Sequence, residues 1–324
     1  HLGAMPILAK TQPSVPIYMS AATLRIATIM LQDALKIMAL RHAEGGPAPL
    51  YDMTAVEAFV TSTRIAPFNE PLTLLEGELY AQLTPAGHIL GAGCLTLESR
   101  QGTALLTGDV SVDDQVTIPG MTPIRGIKPD VVVVESTYGG RTHSGRSGEL
   151  KRLIAQTGRV LERGGSVLFP AFAIGRAQEV ILILSRAMER GKLPRVPLYV
   201  DGLVRQICQC FSTSPELLTP WLRKRVAKHG NPFFFADGPA QPVWDPRERD
   251  KLLGDGPAVI VASSGMLTGG PSQLYARQLA KDPKSLIAIT GYQDEESPGR
   301  ALQNVARKGG GELRLGDGVV TLKC

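Results

Sequence analysis

Among the residues able to do chemistry, His88 stands out. It lies in TPAGHILGAG, just before an apolar segment and with glycines on both sides. Small neighbours let a backbone approach a ligand closely. Asp109 closes ALLTGDVS, at the end of the next apolar segment. If the two segments pair as a hairpin, imidazole and carboxylate meet at one strand edge, the kind of pair a Zn²⁺ site uses. The same residues also read as a histidine that caps a turn and an aspartate that starts one. Glu135 ends DVVVVE. A carboxylate directly after four valines points to the C-terminal edge of a sheet, where open α/β folds bind ligands. It reads alternatively as a strand-ending glutamate held by a backbone amide. The segment STYGGRTH comes next, with Tyr138 among its hydroxyls and with an arginine and His143. His42 and His229 sit in charged helix ends (ALRHAEG and VAKHGNP), which predicts solvated side chains.

Three loops share one logic. FPAFAIGRAQEV follows SVLF and opens a helix, with Gly175 and Arg176 at the junction. SSGMLTGGPS, with Ser263, Ser264 and Gly265, follows VIVA; GYQDEESPGR, with Gln293 and Arg300, follows IAIT. Each loop sets backbone N–H groups, Ser, Gln or Arg at the end of a predicted parallel strand. Helix N-termini with small residues favour anions, phosphate especially. One such loop is weak evidence, because tight turns want glycine anyway. Three in one sheet point to a phosphate-lined crevice. None matches GxGxxG or GxxxxGK[ST], which disfavours nucleotide-cofactor folds. No G-x-S-x-G elbow is present either.

The elements that must position these residues are legible in the pattern. SAATLRIATIMLQDALKIMALRH has helical periodicity, with Ser20 as N-cap. AGCLTLE and TALLTGD, separated by the turn SRQG, read as a hairpin. From residue 130 the apolar runs VVVVE, SVLFPA, PLYVD, AVIVA and LIAIT each precede a loop and a helical pattern, which predicts buried parallel strands with crossover helices. A composition shift at GGRTHSGRSGE marks a join between a β-rich front and an α/β back.

Composition bounds the rest. The chain has 324 residues, 43% of them hydrophobic, enough for a large core. No apolar run approaches the roughly 18 residues of a membrane span. The four cysteines form no zinc-ribbon spacing and no disulfide framework, and Cys208 and Cys210 fall in an amphipathic helix as buried thiols. A reducing cytoplasm fits. The net charge of +5 permits an anionic partner without requiring one.

Taken in order, GHILGAG, TGD, ESTYGGRTH, PAFAIGRAQE, SSGMLTGG and TGYQ…GR resemble the metallo-β-lactamase-fold nucleases of the β-CASP family, which includes RNase J-like enzymes and the cleavage and polyadenylation endonuclease subunit. The resemblance runs the length of the chain. It implies an α/β protein: a partial metallo-β-lactamase αββα sandwich over 1–143, an inserted Rossmann-like parallel-sheet β-CASP domain over 144–312, and a return to the first domain over 313–324. HLGAMP resembles the last histidine of the family's H-x-H-x-D-H signature together with the residues after it. His1 is therefore expected to be a metal ligand whose preceding partners lie outside the sequence. The family's next segments, Ser-Ala-His-Ala-Asp-like and His-Gly-containing, are likewise expected beyond Cys324, making the chain an internal piece of a gene.

The resemblance also implies a mechanism. In the family two Zn²⁺ ions, about 3.5–4 Å apart, activate a water against an RNA phosphodiester. The carboxylate matching Asp109 bridges the metals, the histidine matching His88 completes one site, and that matching His1 serves the other. The glutamate matching Glu135 holds a catalytic histidine of a later segment. Tyr138, Arg176, Ser263, Ser264, Gly265, Gln293 and Arg300 are expected to hold the RNA backbone. On that map the chain has three metal ligands and lacks at least four, so it should bind zinc weakly and cut slowly or not at all. Single-stranded RNA is the expected partner, no membrane is, and homodimers occur in the family. A DNA nuclease of the same superfamily and a non-catalytic scaffold subunit are the rival readings.

Overall fold

The computed structural model describes residues 2–140, 142, 145–254, 256–316 and 318–323. The chain divides into two compact units, His1–Gly139 with Thr213–Pro220, and Gly140–Ser212 with Trp221–Cys324.

The first unit begins with helix α1 (Met5–Thr11), strand β1 (Ile17–Met19), helices α2 (Ala21–Ala43) and α3 (Met53–Ser62), and strand β2 (Thr63–Ile65), which pairs in parallel with β1. Ser20 caps α2 as the sequence predicts, its hydroxyl accepting from the Thr23 N–H at 3.1 Å. Asp52 caps α3 through the Ala55 N–H. Ala9, Ala27, Leu31, Val56 and Phe59 close the helices into one buried cluster.

A five-stranded sheet comes next: β3 (Pro71–Leu74), β4 (Leu79–Pro85), β5 (Gly93–Ser99), β6 (Gly102–Leu106) and β7 (Val131–Val133), in sequential order. The expected hairpin is β5–β6, antiparallel with Ser99 opposite Gly102. β7 runs parallel to β6. Asp130 pins it there, accepting the Thr103 N–H on its carboxylate at 2.7 Å while its own N–H donates to Thr103 O.

β7 corrects one expectation. VVVVE does not join the buried strands of the α/β layer. It is the edge of the first sheet, and Val131, Val132, Val133 and Val134 are 52–61% exposed. An apolar run reports β propensity, not which strands flank it.

The second unit has helices α4 (Arg146–Glu162), α5 (Arg176–Glu189), α6 (Leu203–Ser212), α7 (Pro220–His229), α8 (Arg249–Leu252), α9 (Gly270–Leu279) and α10 (Pro298–Arg307). Between them lie β8 (Val167–Pro170), β9 (Leu198–Asp201), β10 (Ala240–Pro242), β11 (Val259–Ala262) and β12 (Leu286–Ile287), all parallel in the order β10-β9-β11-β8-β12. Every residue of β8 and β11 is buried, as continuous apolar runs in a doubly covered sheet require. A final antiparallel hairpin, β13 (Gly310–Leu315) with β14 (Gly318–Lys323), sends Leu313, Leu315, Val320 and Leu322 into the core that holds Leu168, Ile260 and Tyr275.

Cys94, Cys208 and Cys210 are free and buried, and burial raises the Cys94 thiol and, more strongly, the Cys208 thiol above their usual range. His229 departs from the solvated reading. It stacks on Phe235, ring centroids 4.2 Å apart, and is half-buried.

Candidate functional site

In the first unit the site is built on two loops at strand ends. After β4 the chain turns through residues 86–92, closed by Ala86 N–H donating to Ala92 O. Gly87 has φ +70°, and a Cβ there would lie 2.3 Å from Met121 N and 2.4 Å from Ser111 O. Only glycine permits both the backbone angle and the approach. Gly91 O accepts from the hydroxyls of Ser20 and Thr23, both at 2.9 Å, so the cap of α2 also holds this loop. The Gln115 side-chain amide donates to Gly87 O at 3.0 Å and His88 O at 2.6 Å. His88 is thus fixed through its backbone while its ring stays free to turn to a ligand.

Asp109 leaves the end of β6, where Thr107 N–H donates to Val133 O. His88 Nε2 lies 3.6 Å from Asp109 Oδ2, with the side chains 42% and 64% exposed. That is too long for a hydrogen bond. It is close to the roughly 3.3–3.5 Å that separates two donors each about 2.0–2.1 Å from one tetrahedral ion. The expected meeting at one strand edge is therefore what the structure has.

Glu135 joins them. Its carboxylate accepts from Thr137 N–H at 2.9 Å and Val110 N–H at 3.4 Å, bridging the segment after β7 to the residue after Asp109. The Thr137 backbone donor, then its hydroxyl, with smaller contributions from Val110 and the nearby His88, hold Glu135 below the usual carboxylate range despite a small opposing effect of burial. It is an ionised acceptor beside the pair, held by backbone amides as one of its two sequence readings expects. Tyr138 is 46% exposed in the turn after it. His1, and His143 of the same motif, lie outside the described residues.

The donor set tests a metal. Imidazole and carboxylate at this spacing fit two positions of a zinc-type shell. Among the described residues no three His, Cys, Asp or Glu side chains gather as a complete ligand group.

In the second unit three loops at the C-terminal ends of β8, β11 and β12 are locked together. In the first, Gln178 reaches back from α5, its Oε1 accepting the Gly175 N–H at 2.8 Å and its Nε2 donating to Ala173 O at 2.9 Å. This fixes the turn that delivers Arg176. Arg176 is exposed and lines a cleft of about 360 Å³ with Arg146, Arg152, Glu179 and Thr290. Arg146 donates to the buried Glu179 carboxylate at 2.9 Å.

The second loop is SSGM. Ser264 Oγ accepts from Thr268 N–H at 3.0 Å, and Ser272 donates to Ser264 O at 2.7 Å. Ser263 Oγ accepts from Leu203 N–H at 3.2 Å. A Cβ on Gly265 would lie 2.7 Å from Phe172 N, so the second loop rests directly on the first.

The third loop supplies Gln293, which is 2% exposed. Its Nε2 donates to Gly265 O at 3.0 Å and Tyr292 O at 2.8 Å. Arg300 Nη2 donates to Gln293 O at 2.7 Å. The sequence places Gln293 at a binding surface; in the structure its amide faces inward and ties one loop to another. Arg300 likewise commits part of its guanidinium to that tie.

Sequence reasoning misses Asp201, which closes PLYVD at the end of β9. It is completely buried. Arg249 donates to it through Nε at 2.7 Å and Nη2 at 3.1 Å, Tyr275 Oη at 2.9 Å, and Gly202 N–H at 2.6 Å. A signal exists: an acidic residue ending a run of apolar ones, as at Glu135. Gln115, in a loop with no regular pattern, gives none.

The chain is similar to known proteins. The Beta-Casp domain matches residues 177–302, which takes in α5 to α10 and the serine and glutamine loops. The transcription termination factor FttA of Thermococcus kodakarensis is 33% identical over 316 residues, covering 95% of this chain and 47% of that protein.

The chain belongs to the metallo-β-lactamase-fold β-CASP family.

Two further relatives are similar to the chain. FttA of Methanothermobacter thermautotrophicus is 32% identical over 321 residues, 98% of this chain and 49% of that protein. The RNase J-like protein of Methanocaldococcus jannaschii is 36% identical over 228 residues, 69% of this chain and 51% of that protein. The chain spans about half the length of these β-CASP relatives. Its mixed α/β architecture, with most strands of the parallel sheet in the matched region, is the β-CASP fold the motifs implied.

Proposed function

We propose that the protein containing this chain is a zinc-dependent ribonuclease that hydrolyses phosphodiester bonds of single-stranded RNA during RNA processing or decay. The observation that carries the reading is the 3.6 Å approach of His88 Nε2 to Asp109 Oδ2. Zinc, when bound, supplies Lewis-acid charge that stabilises the attacking and leaving oxygens of an in-line displacement. His88 and Asp109 would hold it, with His1 a further ligand.

The chain's own residues do the rest. Glu135, ionised and braced by two backbone donors, orients a proton-carrying partner beside the pair. Arg176, Ser263, Ser264, Gly265 and Tyr138 are proposed to position the RNA backbone, with Gln293 and Arg300 holding their loops in place. The name that most of these relatives carry, transcription termination factor, suggests that the RNA step acts on transcripts as they are released. A homodimer and a cytoplasmic setting belong to the same proposal; the free buried cysteines support the latter. Among the described residues no helix is long and apolar enough to cross a membrane.

The test is bound zinc, measured by mass spectrometry, together with cleavage of a labelled single-stranded RNA by the whole gene product and by its Asp109→Ala variant. Bound zinc and cleavage abolished by the substitution are expected. A whole protein that binds no metal and leaves RNA intact would favour the scaffold reading. The 324-residue chain alone should cut slowly or not at all.

A further inference from the structure

Aromatic residues make up only 5% of the chain, and three rings of the second unit are exposed, Trp244 among them. The other two occur in the locked loops at the C-terminal edge of its parallel sheet. Phe172, in the loop after β8, is 39% exposed, and Tyr292, in the loop after β12, is 53% exposed. Leaving two large rings in water costs hydrophobic stabilisation that burial would recover.

Their mounting is specific. The Phe172 ring lies against two glycines. A Cβ on Gly265 would meet its Cδ2 at 3.2 Å, and one on Gly291 would meet its Cε2 at 3.4 Å. The ring therefore rests on bare backbone from the β11 and β12 loops. Tyr292 is the next residue after Gly291. Gln293, from inside, donates to Gly265 O and Tyr292 O and so fixes the Tyr292 loop to the serine loop, against which the Phe172 loop packs. Arg176, exposed, leaves the Phe172 loop four residues on.

We propose that Phe172 and Tyr292 form a base-stacking platform for single-stranded RNA, with Arg176 taking an adjacent phosphate. The inference rests on the RNA reading above and adds how the strand is recognised. Aromatic rings held rigidly beside a cation bind unpaired bases without regard to sequence, because every base has a π face. Paired bases present no such face, so the platform selects single strands. A protein partner is the other conceivable occupant, but an arginine flanking exposed rings matches an anionic, base-bearing chain.

The experiment uses the 324-residue chain, a fluorescein-labelled 15-nucleotide single-stranded RNA, its abasic counterpart and the same sequence as a duplex. Affinity is read by anisotropy, and stacking by quenching of 2-aminopurine placed in the single strand. The wild-type chain should bind the single strand about tenfold or more tighter than the abasic backbone and quench the probe. Phe172→Leu and Tyr292→Leu, which keep apolar bulk, should each weaken binding about fivefold or more and restore fluorescence, whereas Phe172→Tyr should retain both. Unchanged affinity and quenching in the Leu double variant, with wild-type RNA binding intact, would overturn the platform and leave the RNA reading standing. No RNA binding by the wild-type chain would overturn the platform, and no RNA binding by the whole gene product as well would sink the RNA reading with it.

Discussion

His88 and Asp109 in the first unit and Asp201 and Gln293 in the second all stand at strand ends, yet they are held in opposite ways. The first two face water, 42% and 64% exposed, and only the backbone around them is fixed. Asp201 is completely buried, with hydrogen bonds from Arg249, Tyr275 and the Gly202 N–H; Gln293 commits its amide to two carbonyls. The first arrangement leaves donors for a ligand. The second uses polar side chains as internal struts. Position at the end of a strand is thus shared by ligand-facing and strut residues, and burial separates them.

The largest effect should come from cutting a strut. Asp201→Ala leaves the Arg249 guanidinium, only 22% exposed, without its carboxylate. Removing one partner of a buried ion pair costs about 3–5 kcal/mol. Urea unfolding monitored on the second unit should show that loss. A change below about 1 kcal/mol would mean that the network is not the strut described, and the contrast between the units would collapse.

Next comes backbone approach, where both units should respond alike. Gly87→Ala places a Cβ 2.3 Å from Met121 N at φ +70°, and Gly265→Ala places one 2.7 Å from Phe172 N. Strain and overpacking of this kind cost about 1–3 kcal/mol each. Thermal melting should detect both. The Gly87 substitution should additionally displace His88 and weaken zinc binding, whereas Gly265→Ala should leave zinc binding unchanged.

The two units also differ in how much the sequence disclosed. The hairpin, the glycine-flanked His88 and the strand-end Asp109 are local features, and the structure brings the two side chains together as the hairpin implied; Glu135 joins them because VVVVE is the edge of that sheet and not a strand of the α/β layer. The inward turn of Gln293 is not local. Its partner Gly265 O is 28 residues away, and a glutamine in a loop carries no mark of which way it will face. The exposure of Val131–Val134 was hidden for a related reason: four valines read alike at a sheet edge and at its centre. Arg176 was legible as a helix-start arginine, while the cleft it lines depends on α4, which reaches it only through the fold.

Substituting the exposed pair sharpens the contrast from the other side. His88→Ala and Asp109→Ala remove side chains that no packed core needs, so stability should stay within about 0.5 kcal/mol of the parent. Zinc affinity of the chain, measured by competition with a chromogenic chelator, should fall by at least about tenfold, because one of the two described donors is gone. A large stability loss with zinc affinity intact would recast the pair as structural.

The smallest effect concerns two aspartates, one in each unit, Asp52 exposed and Asp282 half-buried, that hold turns through hydrogen bonds. Asp282 accepts from Ser285 Oγ at 2.5 Å and Lys284 N–H at 3.0 Å, and Ser285 Oγ in turn accepts from Ser166 N–H, aligning edge strand β12 with β8. The Ser285 hydroxyl, then the Lys284 N–H, hold its carboxyl below the usual range. Asp52 is lowered chiefly by the Ala55 N–H it caps, then by Thr54 and Lys10. A depressed carboxylate stabilises the fold above its unfolded pKa, about 3.9, and that contribution fades as pH falls through the lower folded value. Asp282→Asn and Asp52→Asn should each flatten the acid limb of the stability profile below about pH 4 and lower the plateau near neutrality slightly without changing its slope. Only Asp282→Asn should speed amide exchange at the start of β12, since its turn sets that strand's register, while Asp52→Asn should act on the first turn of α3. If both variants loosened the same region, the two units would share a cooperative unfolding event, and the separation drawn from their struts and open donors would apply to packing but not to stability.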